Sequence, residues 1–219
     1  AKINNKYKEL TTVLSEGDRI ELLDIKNQGA NLVYQNSLSL LYCVAIRNIF
    51  GDVPVIIDNS LNQGLYTTVG AELSDRDIDA ISDEMSRMVK EKLPIICKAK
   101  GIYELDGYEE HSCLLMTPST EYLRHFEIRR YEEGILLRFP LPSNPNEIPE
   151  YRDQPKLYKA FEEQSRWDEL LGVDYVEDLN RLIENGNSRE LIMLAEALHE
   201  KKIAEIADMI KSGQKRIIL

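Results

Sequence analysis

With 219 residues, 43% of them hydrophobic and 30% charged, the chain can bury a sizeable core in one large domain or two small ones. No apolar run approaches the ~18 residues that a membrane span needs, and the first residues lack the apolar core of a signal peptide. A net charge of −11 weighs against a nucleic-acid partner, whose phosphates call for a surplus of Lys and Arg.

Residues 2–25 read as short strands separated by turns such as Glu16-Gly17-Asp18, too little to fold alone. Ser37 is placed to cap a helix running to about Phe50, with Leu38, Leu40, Leu41, Val44, Ala45 and Ile49 covering most of its surface. Val53–Ile57 and Leu65–Val69 read as strands, split by Asp58-Asn59-Ser60 and Asn62-Gln63-Gly64 as turns. Ser74 caps a second helix with Asp77 completing a capping box, and its apolar stripe is Ile78, Ile81, Met85, Met88 and Val89. Pro94 stops that helix, and Ile95-Ile96-Cys97 begins a strand. After a polar bridge, Phe126–Tyr131 and Ile135–Leu141 form a hairpin turning at Glu132-Glu133-Gly134. Pro140, Pro142, Pro145, Pro149 and Pro155 then crowd one polar stretch that sustains neither helix nor inner strand. Beyond it come three helical patterns, the last capped by Asn187 with Ile192, Ala195, His199, Ile203, Ile206, Ala207 and Ile210 as its core stripe. Lys215-Arg216-Ile217-Ile218-Leu219 reads as the start of a buried strand at which the chain stops.

The familiar chemical motifs are missing. There is no G-x-x-x-x-G-K-[ST] phosphate loop, G-x-S-x-G elbow, C-x-x-C pair or H-E-x-x-H helix. Cys43, Cys97 and Cys113 are odd in number and scattered beside apolar residues, which suits reduced, buried thiols in a cytoplasmic setting. His199 sits on an apolar stripe and reads as a hydrogen-bonded core histidine rather than a ligand. His111 with Cys113 offers half of a structural metal site at most, so no metal is expected.

The order of pieces resembles a known family. Asn36-Ser37-Leu38-Ser39-Leu40-Leu41, continuing through Ile49-Phe50 to Leu61-Asn62-Gln63-Gly64-Leu65-Tyr66, is similar to the second additional (editing) domain of threonyl-tRNA synthetase. So are the helix from Ser74 to Leu93-Pro94-Ile95 and the segment Thr117-Pro118-Ser119-Thr120. In that domain the first helix begins H-S-x-x-H-L-L and a later segment reads C-x-G-x-H-v-p-S-T. The four chemical positions fall here on Asn36, Leu40, Ser112 and Met116, so the resemblance implies the scaffold without the editing residues. Bacterial uridine-kinase-like proteins, which place a phosphate-loop kinase domain after such a scaffold, are resembled over more of the chain. Gly134-Ile135-Leu136-Leu137-Arg138-Phe139-Pro140, Val176-Glu177-Asp178-Leu179-Asn180 and the helix Ala195–Ile203 carry that likeness, and Arg216–Leu219 would be the first kinase strand.

These resemblances imply a two-layer α/β (α+β) domain with a mixed or antiparallel sheet, followed by a helical segment. The expected divisions are 1–28, the tail of a β-grasp module; 29–141, the synthetase-like domain; 142–155, a linker; and 156–219, helices leading to a kinase domain. The leading functional expectation is a non-catalytic, ligand-sensing front end of an ATP-dependent nucleoside kinase. ATP and Mg would belong to the kinase domain, its covalent partner, and no cofactor to this segment. Its small-molecule ligand would be a nucleoside or an amino acid, with Asn36, Gln63, Ser112, Thr120 and Arg138 as candidate contacts. The rival is an editing-type hydrolase of aminoacyl-tRNA or related esters, and a third reading is a module that sets a homo-oligomer through its C-terminal helices.

Overall fold

The computed structural model describes residues 1–173 and 175–213. The expected strand at Lys215–Leu219 lies outside the described residues. The chain divides into two compact units, residues 1–154 and the residues from Pro155 onward. The first is a mixed α/β body of helices and antiparallel sheets.

Three two-residue strands open it: β1 (Lys2–Ile3), β2 (Lys6–Tyr7) and β3 (Ile20–Glu21), in the order β2-β1-β3. Asn4 and Asn5 adopt positive φ in the β1–β2 turn, a conformation that asparagine tolerates well. Helix α1 (Gln28–Phe50) starts nine residues before the expected cap at Ser37. The Asn27 side chain caps it instead, accepting from the amides of Gly29 and Ala30. Ser37 lies fully buried inside the helix, where its hydroxyl donates to the Val33 carbonyl at 2.7 Å. A sequence reader takes such a serine for a boundary because the same side chain serves caps and mid-helix back-bonding.

The central sheet holds β4 (Val55–Leu61), β5 (Gly64–Val69), β9 (Glu127–Tyr131) and β10 (Gly134–Arg138) in the order β4-β5-β10-β9, all antiparallel. Asp58-Asn59-Ser60, read above as a turn, is part of β4, and a register shift between Ile57 and Asn59 absorbs one extra residue. Helix α2 (Asp75–Glu91) has the expected capping box, with Ser74 and Asp77 exchanging hydrogen bonds. The polar bridge contains two strands that the sequence reading missed. β6 (Ile96–Ala99), β7 (Ile102–Leu105) and β8 (Tyr108–His111) make a meander in which only Tyr103 and Leu105 are buried. β7 and β8 are four residues each and carry Glu104, Glu109 and Glu110 among tyrosines, so neither shows a clear alternation.

One core joins these pieces. Leu38, Leu41, Val44 and Ala45 of α1, Ile81, Met85 and Met88 of α2, and Ile135 and Leu137 of β10 pack together, with Tyr103 and Leu105 of β7 beside them. The Tyr42 hydroxyl meets Thr67 Oγ1 at 2.8 Å, and Thr67 donates on to the Ile135 carbonyl, so a short buried chain of hydrogen bonds ties α1 to two strands.

The second unit contains α3 (Pro155–Leu171), α4 (Val176–Glu184) and α5 (Ser188–Lys211), with no fully buried residue among those described. The expected stripe on α5 is displaced: Ser188, Leu191, Ala195, Leu198, Lys202, Ile206 and Met209 are the half-buried positions, while Ile192, Ile203 and Ile210 are exposed. His199 is exposed as well, which corrects its reading as a core histidine. Both stripes are largely apolar along this helix, so its periodicity alone did not say which face packs.

Candidate functional site

The positions that the resemblance ties to editing chemistry do not form a reactive cluster. Asn36 is half-buried on α1. One turn on, Leu40 is 3% exposed, Met116 is 8% exposed, and both belong to the hydrophobic core. Ser112 follows β8, where its hydroxyl accepts the Leu114 amide at 3.1 Å in a local turn. An amide, two hydrocarbon-like side chains and a turn-forming hydroxyl supply neither a general base nor metal ligands.

The other expected contacts are held by the scaffold. Thr120 lies in a 3-10 turn (Thr120–Tyr122), fully buried, with Oγ1 donating to the Met88 carbonyl at 2.7 Å and its amide donating to the Leu93 carbonyl at 2.9 Å. It ties that turn to the end of α2. Gln63 is exposed at the β4–β5 turn with φ +57°. Arg138 ends β10 at 2% exposure, its guanidinium donating to Glu127 and to the Pro149 carbonyl. Gly64, next to Gln63, pairs with Arg138 across the sheet, so these two expectations meet at one corner while Asn36, Ser112 and Thr120 lie on other elements.

The histidines and cysteines are dispersed. His111 and Cys113 are exposed, and no group of three His, Cys, Asp or Glu side chains arranged to hold a metal occurs among the described residues. All three cysteines are free, but only Cys43 has a sheltered thiol, with burial pushing its pKa up to about 12. Cys97 and Cys113 are exposed, contrary to the expectation of buried thiols.

A cleft of about 510 Å³ opens at the start of α1. Ala30, Val33 and Tyr34 of α1 form one side, Tyr7, Glu9 and Ile25 from the opening strands and loops a second, and Leu115–Pro118 with Tyr122 and His125 a third. None of the five expected contacts lines it. Two local arrangements shape it. The Tyr7 hydroxyl donates to the Asn27 oxygen that caps α1, and its ring lies so close over Gly29 that a Cβ there would fall 2.3 Å from it. Deeper in, the Tyr34 hydroxyl donates to the His125 carbonyl at 2.7 Å and accepts the His125 amide at 3.0 Å. Burial pushes the Tyr34 pKa up to about 12, so at neutral pH it is a fixed hydrogen-bonding post rather than an acid or base. Lys8 and Arg124 on one hand, and Glu9, Asp24 and Glu121 on the other, give the rim both signs of charge. Such a cleft suits a small ligand with an apolar body and polar ends. Its walls come from segments about a hundred positions apart in the chain. The sequence offered no local signal for it.

Comparison with known proteins gives a partial likeness. No protein-family model matches the chain. Threonine–tRNA ligase of Streptococcus thermophilus is 28% identical over 125 residues, 51% of this chain and 19% of the ligase. That of Caldanaerobacter subterraneus subsp. tengcongensis is 28% identical over 92 residues, 41% of this chain and 14% of the ligase. That of Streptococcus pneumoniae is 27% identical over 125 residues, with 51% and 19% covered. The matched part thus spans about a fifth or less of the length of these curated relatives. Over about half its length, then, the chain is similar to threonine–tRNA ligases.

Proposed function

We propose that the first unit is an editing-type domain of the threonine–tRNA ligase kind that binds a small ligand without hydrolysing it. The observation that carries this reading is that Leu40 lies inside the core and that Met116, at the core's edge, lines the cleft, at the two positions where the resemblance implies histidines. A water-activating site needs a group that can take or give a proton at a cavity, and a leucine and a methionine at two of the four positions supply none. The cleft beside Tyr34 gives the domain a place to bind an amino acid or a nucleoside. The test pairs two measurements on the full chain: thermal shifts with threonine, serine and nucleosides, and deacylation of seryl-tRNA and threonyl-tRNA. The expected result is a shift with at least one ligand and no deacylation above buffer.

The named relatives support a second reading, an editing-type hydrolase of aminoacyl esters. Deacylation that disappears in His111→Ala or Cys113→Ala would establish that reading and overturn the first. The wider reading, a front end of an ATP-dependent nucleoside kinase, rests on the resemblance of the runs quoted above, and the relatives named here are ligases. A phosphate loop encoded directly after Leu219 would support it, and phosphoryl transfer to uridine by the longer product would test it.

A further inference from the structure

The sheet face turned away from α1 and α2 carries a cationic corner. Ile135 and Leu137 of β10 enter the core, so by strand alternation Leu136 and Arg138 face the other way. The register puts Arg129 opposite Leu136 and Glu127 opposite Arg138, so Arg129, Arg138 and Glu127 share that face. Residues 149–154 lie across it as a strap. The Pro149 carbonyl accepts from Arg138, the Tyr151 ring lies 4.1 Å from the Arg129 guanidinium carbon and 5.6 Å from that of Arg138, and Asp153 accepts from the Tyr131 hydroxyl at 2.8 Å. Gln154 accepts the Asn62 amide at 3.0 Å.

The strap leaves the corner incompletely satisfied. Asn62 is 3% exposed and Arg138 is 2% exposed, yet Asn62 Oδ1, Asn62 Nδ2 and Arg138 Nε have no hydrogen-bond partner among the described residues. Buried polar groups are nearly always paired, so the closed arrangement carries a free-energy penalty that an open one relieves. The strap itself brings two carboxylates, Glu150 and Asp153, against one guanidinium, Arg152. With it lifted, Arg129 and Arg138 keep Glu127 as their neighbour across the β9–β10 pair.

We propose that this corner is an oxyanion site, formed by Arg138, Asn62 and Arg129, and that residues 149–154 are a lid occupying it in place of a ligand. The ligand is a small carboxylate or phosphate. Its oxygens take the donors on Arg138 and Asn62 that the strap leaves unused, and its charge replaces that of the strap. This site lies apart from the cleft beside Tyr34 and does not depend on the function proposed above.

Hydrogen exchange of the buried Asn62 backbone amide, which donates to Gln154 of the strap, tests the proposal in the full chain, titrated with inorganic phosphate and separately with acetate. Either anion should speed exchange by about tenfold. Response to phosphate, to acetate or to both supports the site and identifies which oxyanion it takes. Asn62→Ala, checked for native circular dichroism, should lose most of the response. Tyr151→Ala weakens the competitor and should bind the effective anion about threefold more tightly by calorimetry. The proposal is overturned if neither anion changes exchange, or if sodium chloride at matched ionic strength does so equally. It also fails if a folded Tyr151→Ala variant binds no better.

Discussion

At the scale of single residues, burial separates scaffold from candidate ligand contact. Leu40 and Asn36 occupy the two positions that the resemblance marks on the first helix, yet they meet different surroundings. Leu40→Ala removes a core side chain that is 3% exposed, and an expected loss of about 2–5 kcal/mol should appear in urea unfolding. Asn36→Ala, at a half-buried position with no core role, should change stability by less than about 0.5 kcal/mol. If Asn36→Ala nevertheless abolishes a ligand-induced thermal shift, Asn36 contacts the ligand. Thr120 and Arg138 teach the complementary lesson. The sequence marked them as polar residues worth testing, but not that Thr120 would be spent on the Met88 carbonyl or Arg138 on Glu127 and Pro149. A polar side chain advertises hydrogen-bonding capacity, and only the fold says which partner consumes it.

Among the elements, α2 is the one whose limits were most legible. Its cap and stripe are local patterns, and Ser74 with Asp77 forms the box that their spacing implies. Ser74→Ala should cost about 1 kcal/mol in chemical denaturation. The hydrogen bonds from Ser74 hold the Asp77 carboxyl below its ordinary value of 3.8. A carboxyl whose folded pKa is depressed stabilises the fold above its unfolded pKa. This contribution is therefore lost as pH falls below 3.8 and through the lower folded value, and Ser74→Ala should blunt that acid dependence. The central strand tells a different story. A Cβ on Gly134 would lie 2.5 Å from the Thr67 carbonyl oxygen of β5, so the backbone of one strand must move. Gly134→Ala should cost about 1–3 kcal/mol and slow refolding little if this pairing forms late. The hairpin turn alone would have explained that glycine, whereas the close approach of β5 is a tertiary fact.

For the whole molecule, the division into two units sets the expected behaviour. The core cluster lies within residues 1–154, while α3, α4 and α5 contribute no fully buried side chain. Residues 1–154 made alone should unfold cooperatively with an m-value suited to a domain of that size. Residues 155–213 made alone should melt broadly, because cooperative unfolding needs a buried core that a few amphipathic helices with exposed Ile192, Ile203 and Ile210 do not supply. A sharp, independent transition from the helical segment would overturn that view.

By itself the sequence determined the second helix with its cap, the β9–β10 hairpin and the proline-rich stretch before the helices. Each depends on periodicity or turn chemistry within a few consecutive residues, which the chain displays directly. Tertiary structure alone decided where α1 begins, that the polar bridge forms a meander, which face of α5 packs, and that a cleft opens beside Tyr34. It also decided that a strap covers Arg138 and Asn62. Those outcomes depend on which distant segments compete for the same hydrogen bonds and the same buried area, and no local pattern encodes that competition.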